Sequence, residues 1–411
     1  MANKTLLFIF SLLIIGFVSC RRGNISPAGI NLVLTPVEQQ KAAADNGFTI
    51  KLFKNLESAN TGNVNLFVSP LSVSFAFGMT SNGSNGETLA AINSAMSFNG
   101  YTQGQVNSYY NKLITELPEL DPGTTLKIAN SIWYSQVFSV LPQFLQTNTN
   151  FYKAEVKGLD FNSPASLNTI NNWVDMQTDG NIPAILNQIS PGDSMILVNA
   201  IYFKSGWKEK FDPAKTGPLP FYLDNGSQVQ ANFMDGTVDY NRYNNSEVSV
   251  FELPYFNNKY SMVIVMPSSG TTVQQLVLGL DSAKWQTWIA ALNPANSELK
   301  LPKFTFSYNI LLNSALSSLG MGIAFTDKAD FSGITTNGPL HITRVTQKAY
   351  VDADEAGTTA AAATTVEFGD GAAAQLPPTI INRPFMFVIR QVSSGLILFA
   401  GTVNNPLLTG N

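Results

Sequence analysis

The stretch Ala356-Gly357-Thr358-Thr359-Ala360-Ala361-Ala362-Ala363-Thr364-Thr365-Val366-Glu367-Phe368-Gly369-Asp370-Gly371-Ala372-Ala373-Ala374-Gln375 decides the fold. It has no basic residue, and nearly all its side chains are small. An Ala-rich helix is disfavoured by the Thr pairs and by glycine at 357, 369 and 371, which lower helix propensity. A disordered linker fits poorly, because apolar strand signals resume at once and continue to the C-terminus. What remains is an extended, exposed loop made of residues that would also fit inside a tight sheet. Side chains of a strand alternate faces. Counted from Thr358, one face would hold Thr358, Ala360, Ala362 and Thr364, and the other Thr359, Ala361, Ala363 and Thr365, none of them large or charged. Gly357 supplies backbone freedom where such a strand would turn over.

Around this loop the texture is constant from about Pro36 to Leu408, with no internal repeat and no long linker. Helical spacing covers Val37–Asn60, with Ala42, Phe48, Ile50, Leu52 and Phe53 on the apolar side. A second helix opens at Ser69-Pro70-Leu71-Ser72, with Pro inside its first turn, and runs through Met79. A third covers Asn168–Thr178, closed by Gly180. Strand patterns follow at Leu126–Tyr134, Met195–Tyr202, Glu247–Pro254, Ser261–Met266, Leu299–Phe306 and Phe385–Ile389. Leu396–Phe399 is a continuous apolar run, as in a strand buried on both faces. Helices and strands mix without a βαβ rhythm, so the fold class is α+β.

Two counts exclude much chemistry. The chain holds one cysteine, Cys20, and one histidine, His341, so intrachain disulfides and Cys/His metal clusters are ruled out. A catalytic triad would have to run through His341, whose neighbours Leu340, Ile342 and Thr343 alternate as in a strand. Charged residues make up only 13% of the chain, against about 25% in an ordinary domain, and the net charge is −4. No nucleic-acid partner is expected from that balance.

The N-terminus reads as an address. Lys4 precedes an apolar run from Leu6 to Val18, too short for the roughly 20 residues of a spanning helix, as in a secretory signal over 1–19. Phe17-Val18-Ser19-Cys20 is similar to a bacterial lipobox, with Phe17 in place of the usual Leu. An ordinary signal peptide would leave Cys20 incidental. The position of the only thiol at the point of acylation favours a lipid on Cys20, with 20–35 as a tether and the body held at the cell envelope, periplasmic or surface-exposed.

Across nearly the whole body the chain resembles the serpin family. The likeness rests on Asn65-Leu66-Phe67-Val68-Ser69-Pro70-Leu71-Ser72, Asn130-Ser131-Ile132-Trp133, Ile170-Asn171-Asn172-Trp173-Val174 and Leu197-Val198-Asn199-Ala200-Ile201-Tyr202-Phe203-Lys204-Ser205-Gly206-Trp207. Leu253-Pro254-Tyr255, Leu301-Pro302-Lys303-Phe304, Leu319-Gly320-Met321, Ala329-Asp330-Phe331-Ser332-Gly333 and Arg383-Pro384-Phe385 follow in family order. The resemblance implies one serpin domain over 36–411 with three β-sheets, about eight to nine helices, and a reactive-centre loop over about 356–380. It implies shutter residues Ser69, Ser72 and Asn199, a breach tryptophan at Trp207, and Gln347 where the family more often has histidine. Asn181 stands where a lysine is usual.

As an inhibitory serpin the chain would be a suicide substrate and not an enzyme. A protease cuts the loop, the loop enters the main sheet as a new strand, and the acylated protease is distorted. The hinge would be Glu355, Gly357, Thr358, Thr359, Ala360, Ala361, Ala362, Ala363 and Thr364. A dozen new ladder bonds at about 1 kcal/mol each give on the order of 10 kcal/mol, comparable with the stability of a whole domain, so a metastable native form is expected. Family spacing from Gly357 places the cut near Gly371, and counting back from Pro384 places it near Ala373. The reactive-site candidates are therefore Gly369, Asp370, Gly371, Ala372, Ala373 and Ala374. With no Arg or Lys nearby, the expected partner is an elastase-like or subtilisin-like serine endopeptidase, or a cysteine one, bound covalently by a monomer. No cofactor and no metal are expected. The heparin-helix segment Tyr101–Leu120 carries only Lys112, so no heparin site is expected either. The competing reading is a noninhibitory serpin acting as a binding module.

Overall fold

Thr35 opens the first helix, α1 (Pro36–Ser58). Its hydroxyl accepts from the Glu38 amide, and the Glu38 carboxylate accepts from the Thr35 amide, satisfying two N–H groups of the first turn. The computed structural model describes residues 29–358 and 377–410. The signal segment, Cys20, the hinge positions Thr359, Ala360, Ala361, Ala362, Ala363 and Thr364, and the reactive-site candidates Gly369, Asp370, Gly371, Ala372, Ala373 and Ala374 lie outside the described residues.

Strand β1 (Leu66–Val68) runs into α2 (Pro70–Ser81), which Ser69 caps and which is buried along its entire length. Then come α3 (Gly86–Ala95), α4 (Gln103–Glu116), β2 (Thr124–Ser135), α5 (Pro142–Tyr152), β3 (Glu155–Leu159), α6 (Pro164–Gln177) and β4 (Met195–Gly206). Strands β5 (Gly217–Tyr222), β6 (Gln228–Asn244), β7 (Val248–Pro254) and β8 (Tyr260–Pro267) precede α7 (Val273–Leu278) and α8 (Ser282–Ala290). The chain closes with β9 (Asn293–Pro302), β10 (Phe304–Leu311), α9 (Asn313–Leu316), β11 (Arg344–Asp354), β12 (Gly357–Thr358), β13 (Thr379–Ile380), β14 (Phe385–Gln391) and β15 (Ile397–Val403).

The α+β reading holds, and so does the number of helices among the described residues. One sheet has six strands in the order β10-β11-β12-β4-β2-β3. The other two expected sheets are hydrogen-bonded into one sheet of nine strands, eight in the path β1-β15-β14-β8-β7-β6-β9-β13 with β5 branching from β6. The 17-residue β6 joins them: its first part pairs with β5 and β9, and its last residues, Asn241–Asn244, pair with β7. The β5-β6-β9-β13 portion is the third sheet-like part. The main core lies around α1, α2 and the inner faces of both sheets. A smaller core, including Trp133, Ile170, Val174, Ile185 and Val198, fills the space between α6 with its following loop and the six-stranded sheet.

Four expectations need correction. Leu299–Phe306 is two strands, β9 and β10, which break at Lys303. His341 precedes β11 instead of lying on a strand; its Nδ1 sits 3.1 Å from the exposed Asp327 carboxylate. The last part of the proposed tether is packed on the body: Leu32 is buried, and Ile30 donates its amide to the Glu119 carbonyl at 3.3 Å. Finally, Gly357 and Thr358 already form strand β12 within the six-stranded sheet, where an exposed loop was expected from 356 onward.

Candidate functional site

The site is a seam between β11 and β4. At its lower end the two strands run parallel and pair over five rows, from Arg344 with Ile196 to Lys348 with Ala200. Higher up they part. At the top β12 fills the gap, antiparallel to both neighbours: Gly357 opposes Gly206 and Asp354, and Thr358 opposes Ser205 and Ala353. Between those levels, Ile201–Lys204 pair only with β2, and Ala349–Asp352 pair only with β10, so an unfilled slot one strand wide remains among the described residues.

A polar cluster ties β11 to the start of α2 at the closed end. Gln347 donates through Nε2 to the Ser69 carbonyl at 2.8 Å and to the Ser72 hydroxyl at 2.6 Å, and its Oε1 accepts the Ser69 amide at 2.8 Å. Ser69 in turn donates its hydroxyl to the Leu398 carbonyl at 2.7 Å, and all three residues are buried. The buried polar groups of the Gln347 and Ser69 side chains are thus paired, which fixes β11 against the start of α2. Asn199 does not join the serines. It donates to Asn130 on β2 at 2.7 Å, and its own Oδ1 has no partner among the described residues. The structure therefore gathers Ser69, Ser72 and Gln347, and places Asn199 one strand away.

The open end is built around Trp207. Its indole N–H donates to the Asp354 carbonyl at 2.8 Å, and its amide donates to the Ala356 carbonyl at 3.0 Å. Tyr255 stacks on it, with ring centroids 4.8 Å apart and planes 6° from parallel. The Tyr255 phenol meets the Thr358 hydroxyl at 2.8 Å, and Thr358 is 1% exposed. Burial pushes the Tyr255 phenol far up, so it stays protonated and available to donate. Gly357 has φ +136°, and a Cβ there would lie 2.3 Å from the Ser205 carbonyl oxygen, so only glycine lets the chain cross this close to β4.

Glu355 anchors the turn before the hinge. Lys303 donates to its carboxylate at 2.7 Å, as does the Thr216 hydroxyl at 2.7 Å. Burial alone would raise this carboxyl, but the two donors outweigh it and hold it below its ordinary value. Asp354 is different: burial raises its carboxyl, although it accepts the Ala356 amide at 2.9 Å. Sequence reasoning did not assign Tyr255, Lys303, Thr216 or Asn130. Tyr255 and Lys303 stood inside quoted motifs, but their partners lie 103 and 52 residues away, beyond any periodicity signal.

Lys112, the lone lysine of α4, bonds to the Val33 carbonyl and lies 3.3 Å from Glu38. Among the described residues no group of His, Cys, Asp or Glu is arranged to hold a metal ion. No helix among them is long and apolar enough to cross a membrane.

Among the described residues, the six-stranded sheet leaves a gap one strand wide between β4 and β11, with β12 in its first row. The sequence matches the family described as "Serpin (serine protease inhibitor)" over residues 43–406. The chain is 33% identical to human leukocyte elastase inhibitor, over 90% of its own length and 100% of that protein. It is 32% identical to human Serpin B11, over 89% and 99%. Among solved structures, the native state of the thermophilic serpin tengpin superposes with a TM-score of 0.82 at 33% identity, covering 92% of this chain and 96% of that one. Human thyroxine-binding globulin complexed with its hormone superposes with a TM-score of 0.82 at 28% identity, covering 90% and 99%. The chain belongs to the serpin family; it is a protease inhibitor and not an enzyme.

Proposed function

We propose that this serpin traps an elastase-like or subtilisin-like serine endopeptidase, or a cysteine one, as an acyl-enzyme, by drawing its cleaved loop into the slot between β4 and β11. The observation that carries the reading is the register of β12. Both neighbours place Gly357 and Thr358 in one frame. Continued downward, that frame sets Ala360 between Phe203 and Val351, Ala362 between Ile201 and Ala349, and Thr364 between Asn199 and Gln347. Those six flanking residues are all buried, so this face accepts only small side chains, and the loop offers Ala, Ala and Thr. The other face would carry Thr359, Ala361 and Ala363 beside Lys204, Tyr202 and Lys348.

The cut bond falls within 368–375 in this reading, at Gly369, Asp370, Gly371, Ala372, Ala373 or Ala374. Insertion pulls the acylated residue away, and the protease loses the alignment that made deacylation fast. The inhibitor acts as a monomer tethered at the cell envelope by a lipid on Cys20. Similarity to a hormone-binding serpin supports a second reading, a binding module whose loop does not insert. One experiment separates them. Incubation with pancreatic elastase and subtilisin should give an SDS-stable covalent band, and cleavage by papain should raise the melting temperature steeply. Cleavage with neither band nor thermal gain would sink the trapping reading.

A further inference from the structure

Building on the trapping reading, we propose that Tyr255 is a positioning residue for the inhibitory reaction: its phenol docks the hinge at Thr358 before any protease arrives. The Thr358 backbone is already held between Ala353 and Ser205. Its hydroxyl is buried, and a buried hydroxyl without a partner is costly. The neighbouring Ser205 hydroxyl is engaged with Thr124 at 2.6 Å on the next strand. The Tyr255 phenol, 2.8 Å away, is the partner that Thr358 has. Trp207 on one face and the edge of Phe203, at 5.2 Å, hold the Tyr255 ring in place. A phenylalanine would preserve those ring contacts and forfeit only the bond.

Docking matters because insertion races deacylation. A strand whose first row is in place needs only to propagate down the slot. A free hinge must first order its leading residues against their conformational entropy, while water hydrolyses the acyl-enzyme. Loss of the bond therefore should leave the encounter with protease unchanged and divert more inhibitor to the cleaved, released form. A residue that merely supported the fold would instead lower stability without this split.

The test uses Tyr255→Phe, Thr358→Val, the double variant and Thr358→Ser, each checked for an unchanged far-ultraviolet spectrum. Without protease, hydrogen exchange across residues 354–358 should be slowed at least about 100-fold relative to a free peptide, and Tyr255→Phe should relax it by about 10-fold. With pancreatic elastase, and with subtilisin in parallel, Tyr255→Phe and Thr358→Val should consume several-fold more inhibitor per protease at an unchanged association rate. The double variant should match the singles, and Thr358→Ser should behave as the parent. Peptide-like exchange in the parent overturns the proposal. So does a Tyr255→Phe variant that matches the parent in exchange and stoichiometry. A parent that is cleaved by both proteases without a covalent product, yet keeps slow exchange, sinks the trapping reading while supporting the docked hinge.

Discussion

Asn199 and Gln347 are paired across β4 and β11, yet their side chains bond away from each other. Asn199 turns to Asn130, Gln347 turns to Ser69 and Ser72, and the buried Asn199 Oδ1 acceptor has no partner among the described residues. In the trapping reading a strand enters at this level, and its donor would satisfy that acceptor only in the cleaved form.

In the trapping reading, the frame of β12 continued into the slot would set Thr364 between these two residues, on the face that Thr358 occupies. Its hydroxyl is then the expected donor to Asn199. Thr364→Val keeps the shape and removes that donor. The melting temperature of the loop-cleaved protein should fall, reflecting a loss of about 1–2 kcal/mol, while the uncut protein melts as before. Thr364→Ser should restore the gain. An unchanged melting curve for cleaved Thr364→Val would show that the register does not continue.

Thr358→Arg tests the upper end of the same slot. A guanidinium cannot be accommodated beside Tyr255 and Ser205 without burying an unpaired charge, which is far costlier than a lost hydrogen bond. The hinge should stay out of the sheet, and the inhibitor should become a substrate that is cut and released. Densitometry of complex against cleaved product gives the answer, and a normal yield of covalent complex from this variant would refute the hinge argument.

The alternation of small side chains after Gly357 can be read from the sequence because it depends on side-chain size along consecutive residues, and the positions beyond Thr358 lie outside the described residues. The order of most strands and of α1, α2 and α6 was legible for the same reason, since apolar periodicity is local. The break at Lys303 was hidden, because β9 and β10 belong to different sheets although one residue separates them. The docking of Gly357 and Thr358 was hidden too. Sequence shows that such residues fit a strand, but whether they are already in one depends on Trp207, Tyr255 and Lys303, brought together by long-range packing. His341 followed an alternating pattern without belonging to a strand, because its backbone has no neighbour to pair with among the described residues.

The loop after α6 straps the seam from outside. Arg344 donates to the Gln188 carbonyl at 2.8 Å and lies 3.6 Å from Asp193, and Lys348 donates to the Ala184 carbonyl at 3.0 Å. Both cations stand on β11, the strand that would part from β4 in the trapping reading. Arg344→Ala should therefore loosen the strap and speed spontaneous conversion to an inactive, more heat-stable form. Residual inhibitory activity during incubation at 45 °C should decay several-fold faster than in the parent. Equal decay rates would mean that the strap does not limit opening.

Glu57 gives the fold a pH dependence of unusual sign. It is 2% exposed, and its carboxylate accepts a long bond from the Thr402 hydroxyl at 3.4 Å, with the Asn60 side chain also bonding to it. Burial pushes its pKa from an ordinary 4.5 up to about 7. A carboxyl whose folded pKa is raised binds its proton more tightly in the native state. Its contribution is therefore full below about pH 4.5 and is lost as pH rises through 7. The 2.5-unit gap between those values corresponds to about 3 kcal/mol at most. Glu57→Gln removes the titration and keeps the shape, so the variant should unfold at higher urea than the parent at pH 8, with the gap closing by pH 5. Parallel pH profiles for the two proteins would show that Glu57 is charged in the native state at neutral pH.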